Sequence, residues 1–122
     1  MKKFNSVIAG LVFASLMVFL MVEGADAFCV YNNTDKLMNV VQASGASGAK
    51  GLNADLSPGG GNACCNWQNK DCNKKGKRDS IVTFTVRKIE VWKVCENFPI
   101  QAGGWLTIEG KDDDYKCVRY DY

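Results

Sequence analysis

The sequence predicts an all-β fold: a small disulfide-stapled β-sandwich, or partly open barrel, of about six to seven antiparallel strands behind an N-terminal signal peptide. Three observations carry that expectation. Six cysteines stand in a 122-residue chain that has no histidine. Short runs rich in β-branched and aromatic residues alternate with turn-forming ones. No stretch after the leader sustains the apolar period of an amphipathic helix.

The leader reads as an address. Lys2 and Lys3 precede an almost wholly apolar stretch over residues 7–22, and Glu23-Gly24 leads into the small-x-small triplet Ala25-Asp26-Ala27. A basic start, an apolar middle and a small-residue site are what a signal peptidase recognises, so cleavage is expected after Ala27. The apolar stretch lies near the lower limit of a membrane span, ~17–25 residues. No basic stop-transfer cluster follows it, and Phe28 separates the cleavage point from Cys29, which disfavours a lipid anchor there. Residues 28–122 then form a single exported domain with no transmembrane segment, extracellular or, in a Gram-negative source, periplasmic. Lys2, Lys3, Glu23 and Asp26 leave with the leader, so the net charge of +2 is unchanged. A domain this small buries only about 60–65% of its unfolded surface, which makes cross-links a sensible supplement to a modest core.

Along that domain, Phe28-Cys29-Val30-Tyr31, a turn-forming run over 32–35, and the apolar run 37–41 read as a first β-hairpin. Residues 42–51, where Gly45, Gly48 and Gly51 alternate with alanine and serine, read as an exposed loop or a poorly formed edge strand. Leu52 and Leu56 precede Ser57-Pro58-Gly59-Gly60-Gly61, a turn into the cysteine cluster. Val82, Phe84 and Val86 alternate with Thr83 and Thr85, the pattern of a strand with one buried face. The apolar positions change parity at Ile89 and Val91, which points to a bulge near Arg87 or to two strands meeting at a corner. Gly103-Gly104 reads as a turn, and residues 105–109, 110–114 and 115–122 as strand, turn and returning strand.

An even number of cysteines in an exported chain of this size implies three bridges among Cys29, Cys64, Cys65, Cys72, Cys95 and Cys117, and no Cys-x-x-Cys redox pair is present. Cys64 and Cys65 are adjacent, so in a strand they point to opposite faces and reach different partners. The short polar loop between them favours Cys65 with Cys72, which leaves the other four to join strands; the connectivity stays open.

Without histidine there is no Ser-His or Cys-His nucleophile pair and no His-containing zinc site, and neither a metal nor a cofactor is expected. Charge is concentrated in one segment. Lys70, Lys74, Lys75, Lys77 and Arg78 stand against Asp71 and Asp79 beside Trp67, a candidate binding loop for a glycan, an anionic surface or a host protein. No nucleic-acid motif accompanies it, so no specific nucleic acid is expected. Asp112-Asp113-Asp114, with Glu109 and Asp121 nearby, reads as a charged hairpin tip that neutralises the basic loop if the two share an end of the sandwich. Trp92 and Trp105 are expected to fill the second sheet; the alternative is an exposed Trp92 that, with the terminal tyrosines, stacks on sugar rings. Asn32-Asn33-Thr34 is a glycosylation sequon.

Cys64-Cys65-Asn66-Trp67 with Cys72, then residues 76–79 and the Val82-Phe84-Val86 strand, resemble small secreted cysteine-rich β-sandwich proteins of microbes, particularly effector-like fungal ones. The opening strand with Asn32-Asn33-Thr34 and the later Leu56-Ser57-Pro58-Gly59 are loosely similar to thaumatin-like domains, which are much longer and richer in cysteine. The likeness covers about half of the exported domain and implies compartment and fold, carrying over no site residue. The function expected from these features is non-enzymatic binding, effector-type, through loops at one end. A small hydrolase using carboxylates such as Glu109 and Asp112, a protease inhibitor, and a structural component of an extracellular layer are the competing readings.

Overall fold

The computed structural model describes residues 27–88 and 92–122. The leader before Ala27 and the parity change at Ile89 and Val91 lie outside the described residues. Eight strands follow in chain order: β1 (Ala27–Thr34), β2 (Met38–Ser44), β3 (Asn53–Leu56), β4 (Gly61–Asn66), β5 (Ile81–Lys88), β6 (Trp92–Gln101), β7 (Trp105–Lys111) and β8 (Asp114–Tyr120). They form two packed four-stranded sheets, ordered β4-β1-β7-β8 and β3-β2-β5-β6, with no helix among the described residues.

The count of eight exceeds the six or seven expected because β3 and β4 lie where the sequence reads as turn and cysteine cluster. Asn53-Ala54-Asp55-Leu56 and Gly61-Asn62-Ala63-Cys64 have little β propensity of their own. Each becomes a strand because a stronger neighbour offers it a ladder: β3 pairs antiparallel with β2, and β4 with β1.

Two further expectations are corrected. β1 and β2 are not a hairpin; they belong to different sheets, and the chain crosses between them at residues 35–37. Not every pair is antiparallel either, since β1 runs parallel to β7, with Val30 opposite Leu106. A parallel pair needs a long crossover, and the excursion through β2 to β6 supplies it. The closing hairpin does form: β7 and β8 pair antiparallel, with Asp112 and Asp113 at φ 54° and 65° in its turn. Aspartate tolerates this left-handed region better than most residues.

The core lies where the inward faces of the sheets meet. Alternation along β1 buries Phe28 and Val30, along β2 Met38 and Val40, along β5 Val82, Phe84 and Val86, and along β7 Leu106 and Ile108. Phe28 from one sheet meets Phe84 from the other edge-on, ring centroids 5.8 Å apart. The β5–β6 ladder shifts register on either side of Val86, so the irregularity falls next to Arg87. Trp92 and Trp105, expected inside, are 47% and 37% exposed on the outside.

Asn32 is wholly buried at the corner where β1 hands over to β2. Its amide donates to the carbonyls of Lys36 and Leu56, both at 2.8 Å, and its oxygen accepts from the Thr34 hydroxyl and amide. The sequon therefore presents no free amide nitrogen in the folded protein.

All six cysteines are bridged: Cys29–Cys64, Cys65–Cys72 and Cys95–Cys117. The first joins the paired strands β1 and β4 on the outer face, and the last joins β6 to β8 across the two sheets.

Phe84→Ala removes one half of the inter-sheet aromatic contact from a fully buried site. It is expected to lower unfolding free energy by about 3–5 kcal/mol, measured by urea denaturation monitored through tryptophan fluorescence.

Candidate functional site

Strand directions sort the loops into two ends. Residues 45–52, 67–80 and 102–104 and the C-terminus gather at the end where β4 finishes and β5 begins; residues 35–37, 57–60 and 112–113 lie at the other. The basic segment and the acidic hairpin tip are thus at opposite ends of the sandwich, so neither neutralises the other.

The basic segment is a long connection with an unusually complete set of anchors. Cys65 faces the interior of β4 and its bridge draws Cys72 down to 1% exposure. Next to it the Asn73 side chain, equally buried, donates to the carbonyls of Trp67 at 2.7 Å and Lys77 at 3.0 Å and accepts from the Ser80 hydroxyl at 2.8 Å. From β2, the Gln42 amide donates to the Cys72 carbonyl at 2.6 Å and its oxygen accepts from the Leu52 amide. Backbone bonds close the frame: Ser47 N to Asp71 O, Lys74 N to Gly45 O, Ala102 N to Ser80 O and Gly103 N to Arg78 O. A loop with its polar groups satisfied in this way is held in one conformation.

On that frame Lys70, Lys74, Lys75, Lys77 and Arg78 are all exposed. Lys50 adds a sixth cation, 3.9 Å from Asp71. Arg78 lies 4.1 Å over the Tyr122 ring, which fixes the guanidinium against the C-terminus. Trp67 is not a free ring: it is half-buried against the core, and its indole nitrogen is buried without a hydrogen-bond partner. Its backbone carbonyl accepts from the Asn73 amide, which ties it to the loop.

Sequence reasoning did not single out Gln42, Asn73 or Ser80, and it took Tyr122 only as one of the terminal tyrosines, without its contact to Arg78. Buried amides and hydroxyls of this kind carry no spacing pattern, since their partners lie up to 30 residues away. Gly103 and Gly104 mark a close approach as well as a turn. A Cβ on Gly104 would strike the Tyr120 carbonyl, and one on Gly103 would strike the Arg78 side chain.

At the acidic end, Tyr115 Oη donates to Asp35 Oδ1 at 2.6 Å and Lys88 Nζ contacts Asp113 at 2.5 Å while lying over the Trp92 ring. The Tyr115 hydrogen bond, aided by the Asp112 amide against some desolvation, holds the Asp35 carboxyl below its ordinary range. The same bond raises Tyr115, and the Asp113 contact raises Lys88. Elsewhere, the Lys93 hydrogen bond lowers Glu96. Glu109 lies opposite Lys116 across the β7–β8 ladder. Among the described residues no group of three aspartate, glutamate or cysteine side chains is placed to hold a metal ion.

Comparison of the chain with protein-family models, with curated proteins and with solved structures finds no match in any of the three.

Asn73→Ala takes the buried amide from the Trp67 and Lys77 carbonyls; Ser80 still bonds the Lys77 carbonyl, so the Trp67 carbonyl loses most, and the change is expected to cost about 1–3 kcal/mol. Amide hydrogen exchange should accelerate at residues 74–80 before it does so in β1 or β5. A pH series checks the opposite end. Asp35 and Glu96, lowered in the folded state, contribute stability that is complete above their ordinary values of 3.8 and 4.5 and is lost as pH falls through the lowered ones. Tyr115 and Lys88, raised from 10.0 and 10.5, contribute stability that is complete below those values and is lost as pH rises through the raised ones. The urea midpoint should therefore be level over roughly pH 5 to 9.5 and fall on both sides, with Asp35→Asn shrinking the acid-side fall.

Proposed function

We propose that the protein is an exported, non-enzymatic binding protein whose cationic end docks on an anionic glycan surface. The observation that carries this reading is the cationic loop itself: five exposed cations on a backbone pinned by a disulfide, a buried asparagine and bonds to two neighbouring loops. A loop that served only solubility would need no such frame. Preorganisation means that docking orders no backbone, so the Coulomb attraction is not spent on loop entropy. The carboxylates of the hairpin tip, held at the far end, leave the charge separated along the long axis of the strands, which orients the molecule as it approaches a negative surface.

Export is supported by three bridges with no free cysteine among the six, chemistry that persists in an oxidising compartment, and by the leader's n-, h- and cleavage regions. No helix among the described residues is long and apolar enough to cross a membrane.

The test is binding of the purified protein to immobilised polygalacturonate, to a neutral glucan and to phosphatidylserine vesicles at low and physiological salt. Retention on the polyuronate, weakened by salt and reduced at least about tenfold in the Lys74→Ala/Lys75→Ala/Lys77→Ala variant, is the expected result. Equal retention on the neutral glucan, or capture by vesicles with none by the polyuronate, overturns it.

A further inference from the structure

We infer that the outer face of the β4-β1-β7-β8 sheet is a stacking platform for sugar rings, and that an acidic polysaccharide lies across it with its charged groups reaching Arg78 and the loop. This deepens the reading of the cationic end and rests on it. The platform is built from strand registry. Trp105 on β7 stands opposite Tyr120 on β8, and the two rings stack with centroids 5.2 Å apart and planes inclined by 12°. Leu106 and Ile108 point into the core, so Trp105 points out, and both rings remain more than a third exposed. On the other side of Trp105 the rung continues into Cys29 and its bridge to Cys64; on the next rung Tyr31 stands beside Thr107. The result is an apolar strip carried on paired strands rather than on a loop.

The outer face of the partner sheet is built differently. There Asn39 bonds Asp55, Ser44 bonds Thr83, and Thr85 accepts from the Asn97 amide, and the exposed Ile81 on that face offers no ring. Sandwich construction alone does not require rings on an outer face, and among the described residues only this sheet has such a stacked pair. Nor does it require the close approach at Gly104, which brings the start of β7 against the Tyr120 carbonyl and sets Trp105 level with its partner ring.

Charge at the edge of the strip selects the occupant. The Trp105–Tyr120 rung is the end of the β7–β8 ladder on the cationic side. Two residues on, Tyr122, 53% exposed, carries the Arg78 guanidinium on its ring, and Arg78 is itself tied to Gly103 by a backbone bond of 2.8 Å. A ring pair at the same end of the sandwich as the Arg78 guanidinium and the exposed lysines of the loop matches a chain of pyranose rings bearing carboxylates. The mutual stack occupies one face of each ring, so the axial C–H groups of a sugar pack on the ring surface that stays exposed, and the carboxylates meet the cations. A polyphosphate or a phosphatidylserine headgroup offers the charge without the ring.

The experiment compares an oligogalacturonate hexamer with a polyphosphate of equal charge by titration calorimetry, on the wild type, Trp105→Ala, Tyr120→Ala, Trp105→Phe and the triple lysine variant. Trp105→Ala and Tyr120→Ala should each weaken the hexamer by about tenfold and leave polyphosphate within about twofold, whereas Trp105→Phe, which keeps a flat ring and tests the site where alanine disturbs folding, should retain most of the affinity. Loss of the hexamer and polyphosphate in equal measure, or no loss in any ring variant, overturns the platform while leaving the cationic reading standing. If the lysine variant binds both probes like the wild type while the ring variants lose the hexamer alone, the cationic reading fails and the platform stands by itself. Absence of any binding to either probe overturns both.

Discussion

An extended strand sends neighbouring side chains to opposite faces, and β4 turns that constraint into the hinge of the whole molecule. Cys64 faces outward and bridges to Cys29 on β1, which holds an edge strand of weak propensity onto its sheet. Cys65 faces inward and bridges to Cys72, which draws the start of the cationic loop into the core. In the chain-entropy account the 35-residue closure is worth about 3.8 kcal/mol and the seven-residue closure about 2.4 kcal/mol. The first acts mainly on the stability of the fold, and the second on where the loop stands. The Cys95–Cys117 bridge, closing 22 residues, locks the opposite edge of the sandwich.

What the Cys65–Cys72 bridge begins, buried polar groups complete. Gln42, Asn73 and Ser80 lie almost out of contact with water, and each would be costly there if its partners were missing. Their partners are backbone groups of the loop, so the free energy of satisfying them depends on one loop conformation. The same logic operates at the far corner, where Asn32 and Thr34 organise the crossing from one sheet to the other. Both ends of the sandwich are thus shaped by side chains that are polar and buried, and the cations and rings of the surface sit on what they hold.

Electrostatics then acts at two ranges. Within hydrogen-bond distance, Lys88 pairs with Asp113, while the neutral Tyr115 hydroxyl donates to Asp35 and favours its ionised form, so the acidic end keeps most of its charge. The cations of the loop have few such partners. Lys50 and Asp71 make the one ion pair at that end among the described residues, at 3.9 Å between two exposed side chains, a separation worth little in water. An unneutralised cationic end beside a stacked aromatic pair is the asymmetry on which both functional readings rest.

The all-β class, the closing hairpin, the buried alternation of Val82, Phe84 and Val86 and the opposed directions of Cys64 and Cys65 were legible in the residues, because side-chain period and turn chemistry are local properties. The basic loop was legible as a cluster of charge. Sheet membership was not: β1 and β2 look like a hairpin, and the chain instead crosses at a corner held by Asn32, whose partner at Leu56 is 24 residues away. Strands β3 and β4 were hidden because their pairing comes from their neighbours. The outward orientation of Trp105, its stack on Tyr120 and the distance between basic and acidic ends follow from register and strand direction, which depend on contacts far apart in the chain. By itself the sequence determined what each segment prefers; the tertiary structure decided which preferences meet, since only paired strands bring residues such as Trp105 and Tyr120 into contact.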